Sequence, residues 1–152
     1  MLLSELLTAA HVKVPLSSRN KSDVLRELIE VAAGTSSGLD VDAILASVRD
    51  REQLLSTGIG DGVAIPHGKT PLVGQLTLVA GVAAHDIDFD ALDGRPVRLF
   101  FLLLGPESAA GAHVRALSRI STLLRRDHLR TNLLESRDAE SFLGVVRASE
   151  AP

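Results

Sequence analysis

The chain has 152 residues, 45% of them hydrophobic and 23% charged, which fits one globular domain over residues 1–152 with a core that needs neither disulfides nor structural metal. A formal charge of −3 offers no overall basic field to nucleic acid or anionic lipid. Trp, Tyr and Cys are all absent, which argues against base-stacking platforms and excludes thiolate chemistry.

The opening MLLSELLTAA lacks the basic n-region of a signal peptide, and Ser4 and Glu5 interrupt its apolar stretch. The longest strongly apolar run, Leu99 to Leu104, is far below the ~20 residues of a membrane span. A cytoplasmic protein without membrane insertion is expected.

Asn20 reads as the cap of a helix in which Val24, Leu25, Leu28, Ile29 and Ala32 share a face, with Gly34 at its end. The Gly/Ser cluster Gly34 to Gly38 is short enough for a helix-to-helix connection. Asp40 caps a second helix through Val41, Ile44, Leu45 and Val48, ending near Leu54, so Arg51 and Glu52 fall at its C-terminal end.

Leu76 to Ala84 and Val97 to Leu104 are nearly continuous apolar runs, the pattern of strands covered on both faces. Between them, HDIDFDALDG reads as a short strand with Ile87 and Phe89 turned inward and its aspartates outward, closed by an Asp93-Gly94 turn. Ser108 is expected to open a third helix with Val114, Leu117, Ser121 and Leu124 on one face. Helices over Asp127 to Leu134 and Asp138 to Val146 follow. Helices on both sides of clustered strands define a three-layer α/β/α sandwich.

Several chemical motifs nearly fit and fail. Gly62 to Thr70 ends like a phosphate-binding loop, but five residues separate Gly62 from Gly68-Lys69 where four are required, and Pro71 disfavours the helix that Thr70 would begin. Lys69 and Thr70 are read as surface residues. Gly58, Gly60 and Gly62 lack the third glycine of a dinucleotide fingerprint, so a tight turn explains them better. Asp86, Asp88 and Asp90 start like a calcium loop, yet Ala91 and Val97 occupy the positions of its Gly and closing Glu. His11, His67, His85, His113 and His128 show no metal-ligand spacing, and neither G-x-S-x-G nor S-x-x-K occurs. No metal and no cofactor is expected.

Ser56 to Lys69, STGIGDGVAIPHGK, closely resembles the active-site segment of the fructose, mannitol and nitrogen-regulatory class of IIA proteins of the bacterial phosphoenolpyruvate-dependent phosphotransferase system. The likeness extends upstream to Arg51-Glu52 and downstream to His113-Val114, and more loosely from about Leu6 to Val146. It implies a sandwich with a mixed central sheet and a phosphocarrier in which His67 accepts a phosphoryl group from the carrier HPr or its nitrogen-type counterpart.

Neutral imidazole is a nucleophile near pH 7, and a hydrogen bond at one ring nitrogen leaves the other free. By the same resemblance Arg51 stabilises phosphoryl charge with its forked donors, and His113 donates a hydrogen bond to the phosphoryl group or the partner. Glu52, Gly58, Gly60, Gly62, Pro66 and Gly68 support the site, the glycines by letting backbone approach it closely. Asp61 departs from the Asn or Glu most common there in the family, which bears on local charge and partner preference.

Phosphoryl transfer of this kind is mostly positioning plus charge stabilisation. The expected output is regulatory, with phosphorylation of His67 changing affinity for transporters or sensor kinases. The alternative is a sugar-type component that passes phosphate to the cysteine of a separate IIB chain. A paralogue that only binds proteins is a third reading, against which His67, Arg51 and His113 argue. Partners would dock through apolar side chains ringed by charge.

Overall fold

The two apolar runs form the centre of the sheet. Strands β5 (Thr77–Ile87) and β6 (Val97–Gly105) pair antiparallel, from Thr77 opposite Leu104 to Ile87 opposite Val97. The computed structural model describes residues 1–34 and 38–152. Among them the sheet has six strands. β1 (Val12–Leu16) lies parallel to β5 at one edge; β2 (Gly58–Gly60) and β3 (Val63–Ala64) form a hairpin at the other, with β3 parallel to β6. β4 (His67–Lys69) continues the line of β3 along β6, pairing His67 with Leu103. The sheet is therefore mixed.

Alternation along β6 builds two cores. Leu99, Phe101 and Leu103 face one helical layer, while Phe100, Leu102 and Leu104 face the other. The first layer holds α1 (Leu3–Leu6), α4 (Ala110–Leu123), α5 (Asp127–Leu134) and α6 (Ala139–Glu150); the second holds α2 (Lys21–Ala33) and α3 (Val41–Leu54). This is the α/β/α sandwich. Among the described residues no helix is long and apolar enough to cross a membrane.

The caps of α2 and α3 act as their sequences imply: Asn20 accepts from the Asp23 amide at 2.9 Å and Asp40 from the Ala43 amide at 3.1 Å. The connection expected over Gly34 to Gly38 lies in part, at residues 35–37, outside the described residues. The Asp93-Gly94 turn is present, with Gly94 at φ 73°, but His85 to Ile87 belong to the end of β5 rather than to a separate strand.

Two expectations need correction. Ser108 does not cap α4; it lies in a single 3-10 turn, Glu107–Ala109, and no side chain caps the helix that follows. The buried face of α4 is His113, Ala116, Ile120 and Leu123, one residue round from the expected stripe, so Val114 is exposed. Pro15 of β1 falls on the exposed side of the alternation, and the strand's place at the sheet edge is where a proline is tolerated.

Candidate functional site

The β2–β3 hairpin turns on Asp61-Gly62, with φ of 57° and 77°. Positive φ at both positions is what a two-residue type I′ turn requires, and Asp-Gly suits it. The adjoining strand is interrupted at Ile65-Pro66, where proline has no N–H for the ladder. Pairing with β6 resumes as Leu103 N–H donates to the Pro66 carbonyl at 3.0 Å. His67 is the first residue of β4, and its Nδ1–H donates to the Ile65 carbonyl at 2.9 Å. A carbonyl can only accept, so this contact fixes the tautomer and leaves Nε2 unprotonated.

Three elements converge on this imidazole in a cleft of about 580 Å³, lined by Arg51 and Leu54 of α3, His67 and Lys69 of β4, and His113, Val114 and Leu117 of α4, among others. Gly68 allows α3 to approach: a Cβ there would stand 3.2 Å from Val48 and 3.3 Å from Ser47 Oγ. Ser47 then donates to the Lys69 carbonyl at 3.2 Å, seating α3 on β4. One turn further along α3, Arg51 uses one of its five N–H donors on the Leu55 carbonyl at 3.0 Å.

His113 is brought in from the opposite layer. Its ring centroid lies 5.6 Å from that of His67 in an edge-on arrangement. It is 2% exposed, and among the described residues neither ring nitrogen has a hydrogen-bond partner. Such burial without partners is costly and directs attention to what the ring meets in the cleft. Burial and the neighbouring His67 and Lys69 hold its pKa down to about 4. Burial also lowers the pKa of His67, opposed by the Ile65 hydrogen bond and aided by Arg51. Both rings are therefore neutral at pH 7. NMR titration of the imidazole carbons should give a midpoint below 6.5 for His67 and one near 4 for His113; a His67 midpoint above 7 would contradict this environment.

Other expected residues fall elsewhere. Glu52 is buried and does not line the cleft, accepting from the Thr57 amide at 2.9 Å and the Thr57 hydroxyl at 2.6 Å. Pro66 sits at the strand break. Gly58, Gly60 and Gly62 do not bring backbone to the cleft. They shape the hairpin against Ala91, Asp93 and Pro96, and an added Cβ at Gly58 would come within 2.8 Å of Ala91.

Thr70 departs from the surface reading, whereas Lys69 is exposed as expected. Lys69 shares the face of His67 two residues on and lines the cleft, while Thr70 is buried and accepts from the Leu72 amide at 3.2 Å. Strand alternation from His67 was the available signal for Lys69. Sequence did not single out Leu54, 81% exposed, or expose Val114, 61% exposed, at the cleft.

The cleft thus sets a neutral imidazole with its tautomer fixed against arginine, lysine and a second histidine on a mixed α/β/α sandwich, a chemistry compatible with nucleophilic attack on an anionic group. The family model for the phosphoenolpyruvate-dependent sugar phosphotransferase system, EIIA 2, matches residues 5–148. The chain belongs to that family and is a component of the phosphotransferase system.

A nitrogen regulatory protein of Bradyrhizobium diazoefficiens is 37% identical over 146 residues, 96% of this chain and 95% of that protein. The fructose-specific EIIABC component of Bacillus subtilis is 36% identical over 146 residues, 96% of this chain but 23% of that protein, so the chain spans about a quarter of its length. The crystal structure of nitrogen regulatory protein IIA-Ntr from Neisseria meningitidis superposes with a TM-score of 0.87 at 33% identity, covering 95% of this chain and 98% of the other.

Proposed function

We propose that this chain is a phosphohistidine carrier that accepts a phosphoryl group on Nε2 of His67 from HPr or its nitrogen-type counterpart and serves as a nitrogen-regulatory-type IIA protein. The observation that carries the reading is the Nδ1–H bond to Ile65 at 2.9 Å, which leaves Nε2 as the ring's nucleophile. In the transfer, the Nε2 lone pair forms a bond to phosphorus as the bond from phosphorus to the donor breaks, its electron pair leaving with the donor. Nδ1 keeps its proton on the Ile65 carbonyl.

The arriving group carries roughly 1.5 to 2 negative charges. Arg51 and Lys69 supply cations in the cleft, and His113 supplies a buried N–H otherwise without a partner. The exposed Leu54 and Val114 offer the apolar contact through which a carrier docks and then leaves. The output is a change in affinity for a regulated transporter or sensor kinase, and this reading implies a cytoplasmic protein.

The regulatory branch is supported by the Bradyrhizobium and Neisseria relatives, matched nearly end to end. The fructose-specific relative favours a second reading, a sugar-type component that hands phosphate to the cysteine of a separate IIB chain. Intact-mass measurement after incubation with phosphoenolpyruvate, enzyme I and either carrier tests the proposal. One acid-labile, base-stable phosphoryl adduct mapping to the peptide that contains His67 is expected. A folded protein left unmodified by both carriers refutes it, and onward transfer to a IIB cysteine would select the sugar branch.

A further inference from the structure

We propose that the Lys21–Glu52 ion pair is a positioning device for the reactive imidazole, acting on His67 through a continuous run of hydrogen bonds. Lys21 Nζ lies 3.0 Å from Glu52 Oε1. The Glu52 carboxylate accepts from the Thr57 amide at 2.9 Å and from the Thr57 hydroxyl at 2.6 Å. The Thr57 carbonyl accepts from the Ile65 amide at 3.0 Å, and the Ile65 carbonyl accepts Nδ1–H of His67 at 2.9 Å. The donor-to-acceptor direction runs from His67 through Ile65 and Thr57 to Glu52, where Lys21 meets it from the other side, so the carboxylate between the lysine charge and the imidazole terminates the run.

As a contribution to stability alone such a pair is weakly motivated, because desolvating a carboxylate offsets much of the attraction. Glu52 is 7% exposed, and replacing such a pair by apolar groups is often neutral. What the pair does here is directional. With both carboxylate oxygens engaged by Thr57, the backbone at residue 57 has one orientation. Its carbonyl anchors Ile65, and Ile65 presents its own carbonyl to the imidazole.

Lys21 is itself held in place. It donates to the Phe89 carbonyl at 3.1 Å and sits over the Phe89 ring at 4.6 Å. Lys21 and Glu52 border a separate hollow with Ser56 and Leu92, none of which lines the His67 cleft. The pair therefore acts on His67 from outside it.

The rate arm of the test rests on the phosphocarrier reading; the tautomer arm does not. In wild type, 15N NMR of the His67 ring should show Nδ1 protonated and Nε2 bare. In Lys21→Met and Glu52→Gln the population should move toward the Nε2–H form, with phosphoryl acceptance falling about tenfold, within the cost of small misplacements of a reacting group. Lys21→Arg, which keeps the charge, should restore both.

Folded Lys21→Met and Glu52→Gln proteins with the wild-type tautomer overturn the proposal, whatever their stability. If Lys21→Met does not fold, Thr57→Val, which removes the hydroxyl donor and keeps the amide, is judged by the same two criteria. A wild-type protein that shows the expected tautomer but takes up no phosphate sinks the phosphocarrier reading and leaves the positioning one standing.

Discussion

His67→Ala is expected to take up no phosphoryl group under conditions that fully modify the wild type, and Arg51→Ala to take it up on the order of 10²–10³-fold more slowly. The first follows from geometry: His67 lines the cleft with one ring nitrogen left free by its bond to Ile65, while the other cleft histidine, His113, is buried at its wall. The second follows from charge. A transferring phosphoryl group spreads negative charge over its peripheral oxygens, and preorganised donors in a partly enclosed cleft stabilise it far more than water would.

Arg51 also bonds the Leu55 carbonyl just past its own helix, a surface-type interaction worth only about 0.3–1 kcal/mol. Thermal stability should therefore barely move in Arg51→Ala while the rate collapses. Arg51→Lys should recover only part of the rate, because a point charge does not reproduce the fork. Rates are read by quenched-flow labelling from phosphorylated carrier. An acid-labile adduct persisting in His67→Ala, or a wild-type rate in Arg51→Ala, would remove these residues from the roles given them.

The same residues show how far pattern reading reaches. Caps, apolar periodicity and the two continuous runs were legible because they are local: Asn20 and Asp40 bond amides three residues away. His67, the proposed acceptor, could be singled out because its neighbours in the chain, Pro66 and Gly68, are also its structural supports. What was not legible depends on distant pairing. The β2–β3 glycines stand next to His67 in sequence, yet they pack on Ala91 and Asp93, a consequence of the hairpin's position on the sheet edge.

Helix α4 shows the same limit from another side. Val114 reads as part of its inward face but stands exposed at the cleft, Leu117 packs against the core while also lining the cleft, and His113 takes the buried position at the end of β6. Gly105 makes room there, since a Cβ at that residue would stand 3.1 Å from Leu76 and 3.5 Å from His113 Nδ1. No periodicity in residues 110–123 could report that contact. The polar run from Lys21 to His67 is likewise invisible to spacing, because its links join residues 31, 5, 8 and 2 positions apart.

Leu103→Ala should produce the largest loss of stability, about 2–5 kcal/mol, which for a chain of this size lowers the melting temperature by about 4–20 °C. Leu103 is fully buried in the layer formed with Ala116, Ile120 and Phe101, so truncation leaves a cavity among side chains from both sheet and helices. Its backbone pairs with Leu78 on one side and His67 on the other, and those bonds do not need the isobutyl group. Below the melting temperature the variant should therefore accept phosphate at close to the wild-type rate. Calorimetry and the labelling assay on one preparation test both halves. A loss under 1 kcal/mol would show that the layer repacks freely. A rate deficit in fully folded protein would show that core packing, and not only the ladder and the Ile65 carbonyl, sets the position of His67.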